Sequence, residues 1–154
     1  SQEQAILVGT QTAVNDNPSL TTRLVDGKNP LRVAWDLHNR IPESSCLKDR
    51  STPTIIFTSN PLNVSVENLE YVLASPNTLV SQTIEVLYQK GIQSLIVEGG
   101  TQTLQTFIDM TLWDEARIFT TTETFGDGIA APTAIGKPWY EQHVGNALLQ
   151  TIFR

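Results

Sequence analysis

A carboxylate followed by two glycines, Glu98-Gly99-Gly100, stands between the apolar run Leu95-Ile96-Val97 and a stretch in which Leu104, Phe107 and Ile108 recur at helical spacing. The run is short enough for a strand covered on both faces. Two glycines permit a tight turn at positive φ and bring a ligand close to bare backbone. The helix that follows offers backbone N–H groups and a positive dipole end, which suit a phosphate. Glu98, at the strand's carboxyl end, falls where open α/β sheets bind ligands. The bland alternative is a plain connection, with Glu98 as a charge partner of the helix N-terminus, because Gly-Gly alone is not a nucleotide fingerprint.

A second stretch repeats the pattern. Ala5-Ile6-Leu7-Val8 runs into Gly9-Thr10-Gln11-Thr12 and a short helical turn over 10–14. Pro18 keeps Asn17 out of the α region, so the chain turns or extends there. Asp16 is then an acceptor in a loop, and Arg23 a fork-shaped donor for phosphate or carboxylate. An Asx turn with a solvated arginine is the alternative.

The elements that must position these groups are legible from periodicity. Strands are expected over 5–9, 31–36, 54–58, 69–73, 94–98, 115–122 and 147–153, and helices over 78–90 and 101–110. The 78–90 helix places Val80, Ile84, Leu87 and Tyr88 on one face, with Lys90 at its C-terminal dipole and Gly91 at C′. Residues 37–53 read as a loop holding Pro42, Cys46 and Pro53, and 126–128 as another. The 147–153 strand alternates and reads as an antiparallel edge strand. Strand–helix alternation in the middle argues for an α/β fold with a mostly parallel central sheet flanked by helices.

Composition narrows the function. A chain of 154 residues suits one domain, 1–154. A net charge of −6 with no basic stripe argues against a nucleic-acid partner, yet leaves room for an anionic small ligand held by local donors. Cys46 is the sole cysteine, which excludes an internal disulfide and a zinc ribbon. With only His38 and His143 besides, no metal site is expected. No run is apolar enough to span a membrane and no signal peptide is visible, so a cytoplasmic location is the default. Asp114-Glu115 mimics a catalytic carboxylate pair, but adjacent strand residues point to opposite faces, so the two read as the charged entry to the 115–122 strand. Trp35, Trp113 and Trp139 read as core or interface anchors.

At this point the motifs become recognisable. The stretch from Ala5 to Arg23, Asn29-Pro-Leu-Arg-Val-Ala-Trp-Asp36, Ile96-Val-Glu-Gly-Gly100 and Leu112-Trp-Asp-Glu-Ala-Arg117 occur in order. Together they resemble, from Ala5 to about Phe125, the reductase (C-terminal) domain of bacterial bifunctional riboflavin-biosynthesis deaminase–reductases. That domain has a dihydrofolate-reductase-like fold.

The resemblance implies NADPH-dependent reduction of 5-amino-6-(5-phosphoribosylamino)uracil to the ribitylamino product, with hydride delivered to the ribose C1′. It implies that Glu98 is the catalytic position and accepts hydrogen bonds from substrate, and that Leu20 and Arg23 contact substrate, Arg23 at its phosphate. Thr12 and Asp16 would lie near the cofactor. Gly100, Thr101, Gln102, Thr103, Leu104, Gln105 and Thr106 would hold its pyrophosphate. His38, Asn39 and Arg40 are candidates for the 2′-phosphate, although Leu37 stands where the family usually has a small hydroxyl residue. The family's domain begins with a further strand and helix that are expected to be missing here, and a zinc deaminase domain often precedes it. A homodimer is expected, with the 147–153 strand or another exposed edge at the contact. Two alternatives remain: a non-catalytic nucleotide-binding or dimerisation fragment of the same fold, and a related pteridine or folate reductase.

Overall fold

The computed structural model describes residues 3–23, 26–124, 126–133 and 136–154. Phe125, where the resemblance ends, and Ser1-Gln2 lie outside the described residues. The chain forms two compact units, Ser1–Thr103 and Leu104–Arg154.

The first unit is a five-stranded parallel sheet. Its strands are β1 (Ala5–Gly9), β2 (Leu31–Trp35), β3 (Thr54–Thr58), β4 (Leu69–Leu73) and β5 (Leu95–Val97), in the spatial order β4-β3-β2-β1-β5. The helices are α1 (Thr10–Asp16), α2 (Leu79–Gln89) and α3 (Thr101–Asp109), the last running on into the second unit. The chain builds outward from β1 to β4, then returns through α2 to add β5 on the other side of β1. The order therefore reverses between β1 and β5.

Register divides the sheet into two faces. Ile6 pairs with Arg32 and Ile96, and Arg32 with Thr54, so these side chains share a face with Val8, Ala34 and Ile56. On that face Val8, Ala34 and Ile56 pack with Ala13 of α1 and with Ile41, Leu47 and Leu69. On the other face the Trp35 indole N–H donates to the Thr83 hydroxyl of α2 at 2.9 Å. β3 is buried at every position, as expected of a strand covered on both sides. β5 is only half-buried throughout, contrary to the sequence expectation, because it is the sheet's edge and has a neighbour on one side alone.

α2 ends as its sequence predicts. Gly91 has φ +74, its N–H donates to the Tyr88 carbonyl at 2.9 Å, and the Ile92 N–H to that of Leu87 at 3.0 Å. These are the two bonds of a Schellman motif. The buried face is not the expected one. Val80, Thr83 and Leu87 are inside, whereas Ile84 and Tyr88 are exposed. Thr83 takes the interior position because its hydroxyl is satisfied there twice, by Trp35 and by the Leu79 carbonyl at 2.7 Å.

The second unit carries a three-stranded antiparallel sheet, β6 (Glu115–Thr121), β7 (Tyr140–Val144) and β8 (Ala147–Phe153), in the order β6-β8-β7. The 147–153 strand is antiparallel, but it is central rather than at an edge. The strand that covers it, β7, is exposed at all five positions and has no apolar alternation to announce it. With both its edges paired, β8 offers no ladder to a partner chain, which removes it as the expected dimer contact. Glu115 pairs with Arg117 at 2.6 Å, so it serves β6 and forms no carboxylate pair with Asp114. Trp35 is a core residue, whereas Trp139 is exposed.

Candidate active site

Two turns meet at the carboxyl ends of β1 and β5, at the reversal of strand order where open sheets hold ligands. Each needs its glycine for room. A Cβ on Gly9, the N-cap of α1, would collide with the Thr103 hydroxyl. A Cβ on Gly99 would lie 2.6 Å from both Oγ1 and Cγ2 of Thr12. Thr12 of α1 thus sits over the turn after β5, and Thr103 of α3 over the turn after β1. Gly99 and Gly100 have φ +78 and +35, a region that glycine enters without strain.

Glu98 follows β5 directly. Its N–H donates to the Leu7 carbonyl at 2.8 Å, so it extends the ladder by one residue and its alternation puts it on the face of Ile96 and Ile6. The carboxylate is exposed, and Ile6 and Ile96 beneath it are half-buried. Glu98 is thus an exposed acid at the carboxyl end of the sheet.

The residues present fit an anionic group at the turn. Gly100 is exposed and bare, a Cβ there would be 3.4 Å from the Thr12 hydroxyl, and the nine-residue α3 starts at the next position. The fit does not extend evenly from Gly100 to Thr106. Thr103 is 7% exposed, with its hydroxyl against Gly9. Leu104, Gln105 and Thr106 lie past the helix start. The Gln105 amide is committed to Asp109 at 2.7 Å and to the Thr133 N–H at 2.9 Å. Asp16 is the exposed last residue of α1, not a loop acceptor. The helix runs two residues further than the sequence suggested because Asn17, which Pro18 bars from the right-handed region, ends it in the left-handed one at φ 42.

The loop after β2 flanks the same end of the sheet. Asp36, fully buried, accepts the N–H groups of Arg40 and Ile41, each at 2.8 Å. This capping holds the 37–41 loop so that Arg40 reaches the Gln11 amide oxygen of α1 at 2.7 Å. His38 and Asn39 are exposed. The Leu37 carbonyl accepts the Ser59 hydroxyl at 2.5 Å.

Leu20 and Arg23 lie on a separate piece, the arm from Asn17 to Arg23. Leu20 packs on the core cluster of the α1 face, and Arg23 is exposed, donating to the Ser19 hydroxyl. The structure therefore gathers Gly9, Thr12, Glu98, Gly99, Gly100 and Thr103 at one point, and puts the arm elsewhere on the same face. Among the described residues no group of three or more His, Cys, Asp or Glu could hold a metal ion, and no helix is long and apolar enough to cross a membrane.

Sequence reasoning missed two residues here. The sequence marks Gly9 as part of a turn but carries no sign of the gap that admits Thr103. Arg32, inside an apolar strand, carried no signal beyond its unusual neighbours.

Comparison with known proteins shows the family. A family described as the RibD C-terminal domain matches residues 1–150. The riboflavin biosynthesis protein RibD of Bacillus amyloliquefaciens is 33% identical over 141 residues, covering 86% of this chain and 38% of its own length. A protein of Aquifex aeolicus named 2,5-diamino-6-ribosylamino-4(3H)-pyrimidinone 5′-phosphate reductase is 34% identical over 141 residues, covering 85% of this chain and 62% of its own. Among solved structures, a Thermotoga maritima diaminohydroxyphosphoribosylaminopyrimidine deaminase/5-amino-6-(5-phosphoribosylamino)uracil reductase superposes with a TM-score of 0.85 at 26% identity, covering 98% of this chain and 45% of that one. The chain thus spans between 38% and 62% of the length of these relatives.

Proposed function

The chain belongs to the RibD C-terminal domain family, and from that premise we propose that it reduces 5-amino-6-(5-phosphoribosylamino)uracil with NADPH in riboflavin biosynthesis. The observation that carries the reading is Glu98, an exposed carboxylate at the point where strand order reverses, followed by a turn with no side chains. When bound, the nicotinamide supplies the hydride. The chain's own residues bind and orient. Gly99, Gly100 and the start of α3 face the pyrophosphate, and Thr12 closes that turn. Glu98 accepts hydrogen bonds from donors on the substrate, and Arg23 takes the phosphate through the guanidinium donors that Ser19 leaves over.

A second substrate is favoured by the Aquifex relative, whose name specifies the diaminopyrimidinone that still carries its exocyclic amine. Both share the phosphoribosylamino group on which the proposed site acts.

The test is NADPH oxidation by the full-length protein with each substrate. Glu98→Gln removes a charged acceptor worth about 1.5–3 kcal/mol, so kcat/KM should fall roughly 10- to 150-fold while NADPH affinity changes little. Wild-type turnover with neither substrate, or unchanged turnover in the variant, overturns the reading.

A further inference from the structure

We propose that Arg32, which touches no ligand, positions the Asn17–Arg23 arm and thereby sets affinity for the phosphate end of the substrate. The inference rests on the reading of Arg23 given above, but its structural half stands by itself. Arg32 is completely buried in the second position of β2. All five of its N–H donors are used. Nε donates to the Thr54 hydroxyl at 2.8 Å, Nη1 to the carbonyls of Cys46 at 2.8 Å and Ser19 at 3.4 Å, and Nη2 to Asp49 and the Thr52 carbonyl, each at 2.9 Å. One guanidinium thereby ties β3, the turn at 46–52 and the arm together. Lysine has neither the planar fork nor five donors.

The arm is anchored to the same turn at both of its ends. The Asn17 side-chain oxygen accepts the Ser45 hydroxyl at 3.0 Å and the Cys46 N–H at 2.9 Å. The Thr22 N–H reaches Asn29 at 3.0 Å, and Asn29 donates to the Thr52 hydroxyl at 3.2 Å. Between these ends Ser19 rests its carbonyl on Arg32 and its hydroxyl under Arg23. The next residue, Leu20, has φ +49, a conformation that costs a non-glycine residue energy and persists only where the surroundings over-determine it. Such strain in a segment that also carries Arg23 points to a held shape rather than a passive loop. Leu20 packs on the core cluster, and Arg32 supplies the hydrogen bond that ties the neighbouring Ser19 carbonyl to the sheet.

The experiment uses Arg32→Lys, Arg23→Ala and the double variant in the full-length protein, with phosphorylated and dephosphorylated substrate. Amide hydrogen exchange over 19–23 and 45–52 is measured alongside. Arg32→Lys should raise KM for the phosphorylated substrate about tenfold, leave kcat within twofold, spare the dephosphorylated substrate, and speed exchange in the arm. In the Arg23→Ala background it should add nothing to KM. Unchanged exchange in the arm, or an equal KM penalty in both backgrounds, overturns the proposal. If Arg23→Ala alone leaves KM unchanged while Arg32→Lys loosens the arm, the reading of Arg23 has failed and the structural half stands. Should Arg32→Lys not fold, Asp49→Ala, which removes one of the two Nη2 acceptors at an exposed position, carries the same comparison.

Discussion

The two parts of the α1 face hold their shape by opposite means. At the carboxyl ends of β1 and β5, position is set by atoms that are absent: Gly9 leaves room for the Thr103 hydroxyl and Gly99 for Thr12. Around the start of β2, position is set by donors that are present: Arg32 fills a closed set of acceptors drawn from three segments. The first region should tolerate lost side-chain atoms and reject added ones. The second should tolerate bulk at its rim and reject lost hydrogen bonds. A turn shaped by missing side chains leaves its backbone open to a ligand, whereas a buried guanidinium keeps its own donors for the protein.

Gly99→Ala is the most severe challenge to the first half of this contrast. The new Cβ meets Thr12 at 2.6 Å and the backbone is at φ +78. Overpacking costs about 1–3 kcal/mol and the left-handed conformation about 1–2 more. Gly91→Ala is the control, since it shares the positive φ but has nothing within 4 Å of the added atom. Urea denaturation should therefore rank Gly99→Ala well below Gly91→Ala, and NADPH binding should weaken in the former alone. Equal losses in the two would mean that backbone conformation, not room, limits the turn.

Gly9→Ala isolates room from conformation. Gly9 sits at φ −80 and ψ 164, where alanine is at ease, so its only difficulty is the Thr103 hydroxyl. The Thr103 Cβ would be 3.5 Å from the added atom, an ordinary contact. Gly9→Ala should cost about 1–3 kcal/mol, and Thr103→Ala in the same chain should recover most of it. A double-mutant cycle with no coupling would separate the two turns.

How much of this was legible follows the same division. The strands over 5–9, 54–58 and 69–73 and the end of α2 at Gly91 could be read because local apolar runs and a C′ glycine carry their own signal. The α/β class followed from their alternation, whereas the family rested on the resemblance of four motifs in order. The resemblance implies Thr12 and Gly100 on the cofactor side, and the Thr12 hydroxyl lies beside the Gly100 backbone. The buried role of Arg32 could not be read, since its acceptors come from residues 13 to 22 positions away and a charged residue in a strand normally faces water. Thr83 replaced Ile84 on the buried face of α2 for a similar reason, a hydrogen bond to Trp35 that lies 48 residues off. β7 escaped notice because a strand exposed at every position has no burial pattern to print on its sequence. Periodicity records contact with apolar surroundings, and these three features depend on polar partners or on none.

The smallest expected effect tests whether charge matters only at the donor-held end. The Arg32 guanidinium beside Asp49, helped by the Ser51 N–H and hydroxyl, holds the Asp49 carboxyl down from an ordinary 3.8 to about 2. A folded pKa below the unfolded one means that the unfolded chain takes up the proton first. The pair's contribution is then complete above about pH 4 and is lost as the pH falls toward 2. Asp49 is 41% exposed, so solvent screening keeps that contribution small even though its partner is dry. The difference in Tm between wild type and Asp49→Asn should be flat above pH 4 and shrink between pH 4 and 2. The penalty of Gly9→Ala, a matter of volume alone, should be constant over the same range. If the Asp49→Asn difference survives unchanged to pH 2, geometry rather than charge holds that end as well, and the contrast between the two regions narrows to added against missing atoms.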